Sequence, residues 1–232
     1  MNNWERRARR AEFLADSFPV SREILTFYAH VAEWQSGVSH RSTTFQQLTE
    51  LIPSLLDLVI RSAPPALVQA AREFDMAGAS EFLKTYWESP QSLSTQEFFA
   101  RAVLQVYAAS LPEGLDCPWC LHPPQAGCLI RQGDGLAFEL VCSLCLRRRS
   151  FPRTRCPGCN ESSESKLASF TAIEFPHLRV GACETCKAYL VIVDLEKDPA
   201  AIPEVDELAA LPLDLWALEH GYHKLQPNLA GV

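Results

Sequence analysis

The chain has 232 residues, 47% of them hydrophobic and 21% charged, and a formal net charge of −7. That composition is ordinary for a soluble globular protein and leaves room for one mid-sized domain plus a smaller one; no apolar run approaches the ~20 residues of a membrane span. The charge is uneven: residues 1–116 carry 10 basic and 14 acidic side chains, residues 117–193 carry 9 and 6, and residues 194–232 carry 2 and 8.

Residues 1–112 read as a helical bundle. Arg9-Arg10-Ala11-Glu12-Phe13-Leu14 echoes a twin-arginine export signal, but Asp16, Pro19, Arg22 and Glu23 follow at once. Without an apolar stretch behind it, Trp4–Ser17 reads as an amphipathic helix and the protein as cytoplasmic. Ser21 is placed as the cap of a second helix reaching Gln35, with Ile24, Leu25, Tyr28, Val31 and Ala32 at helical spacing. Ser42 or Thr43 opens the next, with Phe45, Leu48 and Ile52 on one stripe, and Pro53 marks a kink or restart. Pro64-Pro65 stops that helix and starts another through Met76, which Gly78 breaks. Ser80 caps a helix over Glu81–Trp87 ended by Pro90, and Ser94-x-x-Glu97 is a capping box for a last helix through Leu111. The aromatic residues of this region read as core. His30 and His40 have no partner at ligand spacing and receive no role.

After Pro112-Glu113-Gly114 the texture changes to short strands: Ala126–Arg131, Gly135–Val141, Leu167–Glu174, Leu178–Ala182 and Ala188–Asp194, with a hairpin turn at Gly133-Asp134-Gly135. This stretch holds all nine cysteines. Eight form four Cys-x-x-Cys pairs: Cys117/Cys120, Cys142/Cys145, Cys156/Cys159 and Cys183/Cys186. Two thiolates on a tight turn whose amides face the sulfurs make half of a tetrahedral site for zinc or iron. The spacers within successive pairs of turns are 21 and 23 residues, against 10 between them. A duplicated unit follows: Cys117, Cys120, Cys142 and Cys145 around one ion, and Cys156, Cys159, Cys183 and Cys186 around another. A cross-braced arrangement, first turn with third and second with fourth, is the alternative. A disulfide framework wants a short secreted chain, and a thioredoxin motif wants a single Cys-x-x-Cys in a βαβ unit. Neither matches four copies in short-strand sequence.

Cys128, alone in a strand, reads as a small buried apolar residue. His122 and His177 flank the first and fourth turns and are redundant beside eight thiolates, which leaves them as groups around the site or on the surface. Arg147, Arg148, Arg149, Arg153 and Arg155 either compensate thiolate charge or bind a partner. The chain then runs through Asp194–Asp206, read as a solvated acidic linker, into short helices over Glu207–Leu211 and Pro212–His220, with Gly221 as a stop.

The architecture expected is α+β: a helical domain over 1–112, two tandem rubredoxin or zinc-ribbon-like units over 113–150 and 151–195, and an acidic linker with a helical tail over 196–232. Each small unit buries too little to fold alone, so metal binding supplies most of its folding free energy.

Several stretches resemble the formate dehydrogenase accessory protein family, FdhE: CPWC and CSLC, RCPGCNE at 155–161, CETCKAYLVIVDLEKDP at 183–199 and DELAALPLDLWALEHGY at 206–222. The likeness covers about half the chain. The helices match it only in general character, and the helical region is short for the family. A glycine often follows the second cysteine of such turns, whereas Leu121, Leu146, Asn160 and Lys187 stand there, which puts the turn geometry in question. The resemblance implies a cytoplasmic assembly factor that contacts the catalytic subunit of a respiratory formate dehydrogenase, with rubredoxin-like iron sites.

No phosphate loop, zincin motif or nucleophile elbow is present, and a closed tetrathiolate leaves no open metal position. The sequence therefore reads as a non-enzymatic factor with two ions, iron or zinc, and no membrane partner, and leaves a homo-oligomer open. Two alternatives stand beside it. One is a nucleic-acid-binding ribbon using Arg147–Arg155 and Phe151, which the acidic net charge disfavours. The other is a rubredoxin-like electron carrier.

Overall fold

The computed structural model describes residues 1–39, 44–88, 95–111, 122–229 and 231. Mixed helix and sheet are arranged in sequence order: helices α1 (Asn3–Ser17), α2 (Arg22–Val38), α3 (Ile52–Ser62), α4 (Pro65–Arg72), α5 (Ala79–Glu88) and α6 (Glu97–Ser110) precede the sheet. The strands are β1 (Pro124–Gln132), β2 (Gly135–Cys142), β3 (Arg148–Ser150), β4 (Leu167–Thr171), β5 (Leu178–Cys183) and β6 (Ala188–Asp194). Helices α7 (Pro203–Ala209) and α8 (Leu211–Glu219) and the short strand β7 (His223–Lys224) close the chain.

Local chemistry explains most helix ends. Asn2 and Glu5 form a reciprocal capping box on α1, and Thr44 with Gln47 forms another on a 3₁₀ turn over Phe45–Leu51. The stripe through Phe45 thus begins as a 3₁₀ turn rather than an α-helix. Pro53 sits in the first turn of α3, so it marks a restart and not a kink. Asp75, not Ser80, bonds the free amides before α5, accepting from Ala77 and Gly78. The helix expected to reach Met76 ends at Arg72. The Ser42/Thr43 start, His40, the Pro90 stop, the Ser94 cap and the Pro112–Gly114 boundary lie outside the described residues.

Ser21 makes no cap bond to α2; its hydroxyl donates instead to the Ala209 carbonyl at 3.1 Å, at the end of α7. Helix α6 is buried continuously from Phe98 to Val106, including Arg101 and Gln105. It forms the centre of the helical core.

The strands form one sheet in the order β3-β2-β1-β6-β5-β4, with β7 beside β6. The two expected tandem units therefore do not stand apart. Parallel pairing of β1 with β6, Ala126 opposite Val191, joins them edge to edge. The hairpin turn between β1 and β2 falls on Gly133, at φ +58°, where a glycine is favoured.

The acidic stretch is not a solvated linker. Asp194, Glu204, Asp206 and Glu207 are all buried. Each meets a cation: Arg179 bonds Asp194 at 2.7 Å, Arg7 bonds Glu204 at 2.6 Å, Arg10 bonds Asp206, and Lys224 bonds Glu207 at 2.8 Å. Isolated buried carboxylates are too costly to persist, so this stretch is held by its partners against α1 and the sheet. Val205, Leu208 and Ala209 join the helical core, while Leu213 and Ala217 cover the face of β5 and β6 that carries Val180 and Val191.

Candidate metal centres

The third and fourth cysteine turns meet. Cys156 lies before the strands of the second half, while Cys183 closes β5 and Cys186 precedes β6, so the β5–β6 hairpin presents one turn to the other. The Cys156 and Cys186 sulfurs are 3.7 Å apart, as are those of Cys159 and Cys183, and all four lie within 4.8 Å of one another. Sulfurs placed tetrahedrally at ~2.3 Å from one zinc would stand about 3.8 Å apart, whereas a disulfide requires ~2.05 Å. The donor set and spacing fit a thiophilic tetrahedral ion and do not fit bridges.

Three turns share one geometry. Leu146, Asn160 and Lys187, each following a second cysteine, have φ of 57°, 61° and 61°. Their amides donate back to the carbonyls of Cys142, Cys156 and Cys183 at 3.1, 2.9 and 2.8 Å. Where glycine is common, these side chains themselves adopt the left-handed conformation, at a steric cost. In each turn the first sulfur faces the next amides, with the Gly158 N–H 3.3 Å from the Cys156 sulfur. Burial pushes the Cys156 thiol up to about 12. The Cys142 thiol is drawn down to about 7, first by its hydrogen bond with Cys145, then, against burial, by the amides of Cys145 and Leu144. Ligand amides of this kind prepare a sulfur to carry negative charge.

The second turn is differently set. Cys142, Leu144 and Cys145 are sunk in the helical core, where Phe98 and Phe99 also lie. Two buried side chains of α6 hold its backbone: Gln105 Nε2 donates to the Ser143 carbonyl at 3.1 Å and Arg101 Nη2 at 3.3 Å. Arg101 also donates to the carbonyls of Pro227 and Asn228. Neither residue stands out by ligand type; the available signal was a charged and an amide side chain four apart on a helix apolar all round. Cys117 and Cys120, expected as the other half of this centre, lie outside the described residues.

The remaining candidates separate. Cys128 is fully buried between Ala126 and Val141, and burial raises its thiol to about 11. His122 is buried with its ring 5.8 Å from that of Tyr86. His177 is not a surface group: its Nε2 lies 3.0 Å from Asp206 Oδ1. Asp198 and Asp206 also converge there, but Arg10 stands among them and supplies the positive charge. The basic run does not act as one patch. Arg147 donates to the Leu111 carbonyl at 2.6 Å, and the Phe151 ring packs on Phe138.

Comparison with known proteins follows the whole chain. Residues 154–230 match the family model "FdhE, C-terminal domain". A "Protein FdhE homolog" of Aquifex aeolicus is 25% identical over 264 residues, covering 96% of this chain and 93% of that protein. The crystal structure of the FdhE protein from Pseudomonas aeruginosa superposes with a TM-score of 0.73 at 26% identity, over 98% of this chain and 95% of that one. Along nearly its whole length the chain is similar to FdhE proteins. Another FdhE homolog, from Pseudomonas aeruginosa strain PAO1, is 39% identical over 120 residues, 49% of this chain and 38% of its own length. Among the described residues no helix is long and apolar enough to cross a membrane.

Proposed function

We propose that this chain is a non-enzymatic maturation factor of the FdhE family that binds the catalytic subunit of formate dehydrogenase in the cytoplasm. Two tetrathiolate centres brace its binding surface: Cys117, Cys120, Cys142 and Cys145 hold one ion, and Cys156, Cys159, Cys183 and Cys186 the other. The observation that carries the proposal is the closed set of four sulfurs within 4.8 Å, in a chain that aligns with FdhE proteins along nearly its whole length. Four thiolates complete the coordination of zinc or rubredoxin-type iron and leave no position for substrate. In this proposal the 113–150 and 151–195 segments each supply one centre to the common sheet.

A second role for the same ions is one-electron exchange. It is favoured by Cys159, which is exposed, and Cys186, which is half-buried, since they bring the second centre to solvent. Pull-down with the purified catalytic subunit as bait tests the partner, with metal analysis and visible absorption on the same sample. Capture with two ions per chain is expected. A folded, metal-loaded chain in excess that leaves the bait empty defeats the assembly role. A visible band that bleaches on reduction identifies iron, and its absence with full metal content identifies zinc.

A further inference from the structure

The two faces of the sheet are covered unequally. Val180, Ala182, Tyr189 and Val191 lie beneath the tail helices. The opposite face carries Leu129, Phe138, Leu190 and Ile192, and among the described residues Phe151, the third cysteine turn and Leu225 pack over it. Between that turn and the sheet lies a cavity of about 180 Å³. Its floor is flat at Gly181, where a Cβ would stand 2.7 Å from Ile192 Cδ1. Any side chain there would displace Ile192 from its place across the floor.

The cavity is ringed by cations. Arg153 and Arg155 line it, are exposed, and their side chains have no ion-pair or hydrogen-bond partner among the described residues. Arg179 lines it too, fixed by Asp194 at 2.7 Å. An apolar floor with two uncommitted guanidinium forks at its rim suits an apolar group carried next to a carboxylate. The volume is below the ~300–1,000 Å³ of small-molecule pockets and holds a side chain rather than a whole cofactor. A polynucleotide would want a free stacking ring, and Phe151 is occupied by Phe138, 6.4 Å between centroids.

We propose that this groove docks an extended segment of a partner protein, seating one large apolar side chain in the cavity and an adjacent acidic side chain on Arg153 and Arg155. It rests on the assembly reading above, and assigns that reading a surface and a recognition chemistry.

Selection of a displayed random-peptide library on the metal-loaded chain tests it. Enriched peptides are expected to pair a large apolar residue with an acidic neighbour. Their affinity should fall about tenfold or more in the double variant Arg153→Glu/Arg155→Glu, and likewise in Ser169→Trp, which fills the groove from its exposed edge. All three positions are exposed, so metal content and circular dichroism should match the parent. No enrichment, or enriched peptides indifferent to both variants, overturns the proposal. So does binding of a single-stranded oligonucleotide that the arginine reversals abolish while no acidic peptide is selected. The same variants enter the pull-down with the catalytic subunit. Peptides that bind while the parent captures no subunit defeat the assembly role alone; capture that both variants retain defeats the groove alone.

Discussion

Arg10 and Asp206 meet as a two-point pair: Arg10 Nε donates to Asp206 Oδ2 at 3.0 Å, and Nη2 bonds the other carboxylate oxygen. Asp206 is fully buried, accepts the Ile202 amide at 2.7 Å and faces His177, so its carboxylate orders α1, α7 and the residues before β5 at once. Removing that cation leaves the buried carboxylate with the Ile202 amide and the His177 ring. Arg10→Ala is expected to cost about 3–5 kcal/mol in a urea titration, and Arg10→Lys most of that, because lysine cannot reproduce the fork. A loss below about 1 kcal/mol would show that the pair is not what holds the tail.

The left-handed residues after the cysteine turns offer a contest between two effects. Glycine removes strain of about 1 kcal/mol at such positions. Asn160 is exposed and already tolerant, so Asn160→Gly should stabilise by a few tenths of a kcal/mol. Leu146 is 9% exposed, and losing its side chain costs about 2–3 kcal/mol of burial. Leu146→Gly is therefore expected to destabilise despite the better backbone. Thermal melts of the metal-loaded variants decide it; opposite signs are the expected result.

Lys224 faces two buried carboxylates, Glu207 at 2.8 Å and Asp214 at 3.2 Å. One ammonium does not neutralise both. Burial raises Glu207 to about 7, with Lys224 opposing and Asp214 reinforcing. A carboxyl raised on folding binds more protons in the native state than unfolded, so stability falls as pH rises from about 4.5 through about 7. The slope is on the order of 2–3 kcal/mol across that window. Glu207→Gln should flatten this part of the profile, measured as urea midpoint against pH. An unchanged slope would place the proton elsewhere.

Replacing both Cys156 and Cys159 with serine should remove one equivalent of metal per chain. Because β6 pairs with β1 as well as β5, the loss should extend beyond the second half. Hydrogen exchange is expected to speed up at Gly127 to Leu129 as well as through β5 and β6. Unaltered metal content would refute the assignment of these ligands, and protection kept in β1 would show that the two halves fold independently.

What was legible in the sequence was what depends on neighbours along the chain. The helix stripes, the Gly133 turn and the paired cysteines are patterns over a few residues, and the sulfurs of Cys156, Cys159, Cys183 and Cys186 lie within 4.8 Å of one another. Ser21 has the form of a cap, yet its hydroxyl serves a carbonyl 188 positions away. The acidic stretch reads as solvated only while Arg7, Arg10 and Lys224 are out of view. The parallel register of β1 and β6 leaves no local mark, since both strands are short apolar runs that suit several neighbours. Arg101 and Gln105 lack any ligand motif, and their place under Ser143 emerges only from packing.

Since α1 is seated on α7, Arg7 and Arg10 meet their buried carboxylates only after the segment 197 and 196 positions further along the chain has been made. Until then Arg7 and Arg10 stay hydrated and the groove that receives Val205 and Leu208 lies open. The seam therefore works as a latch: a chain truncated before Pro203 keeps every cysteine of this sequence but leaves the seam without its partner helix, exposing the kind of apolar surface on which chaperones and proteases act.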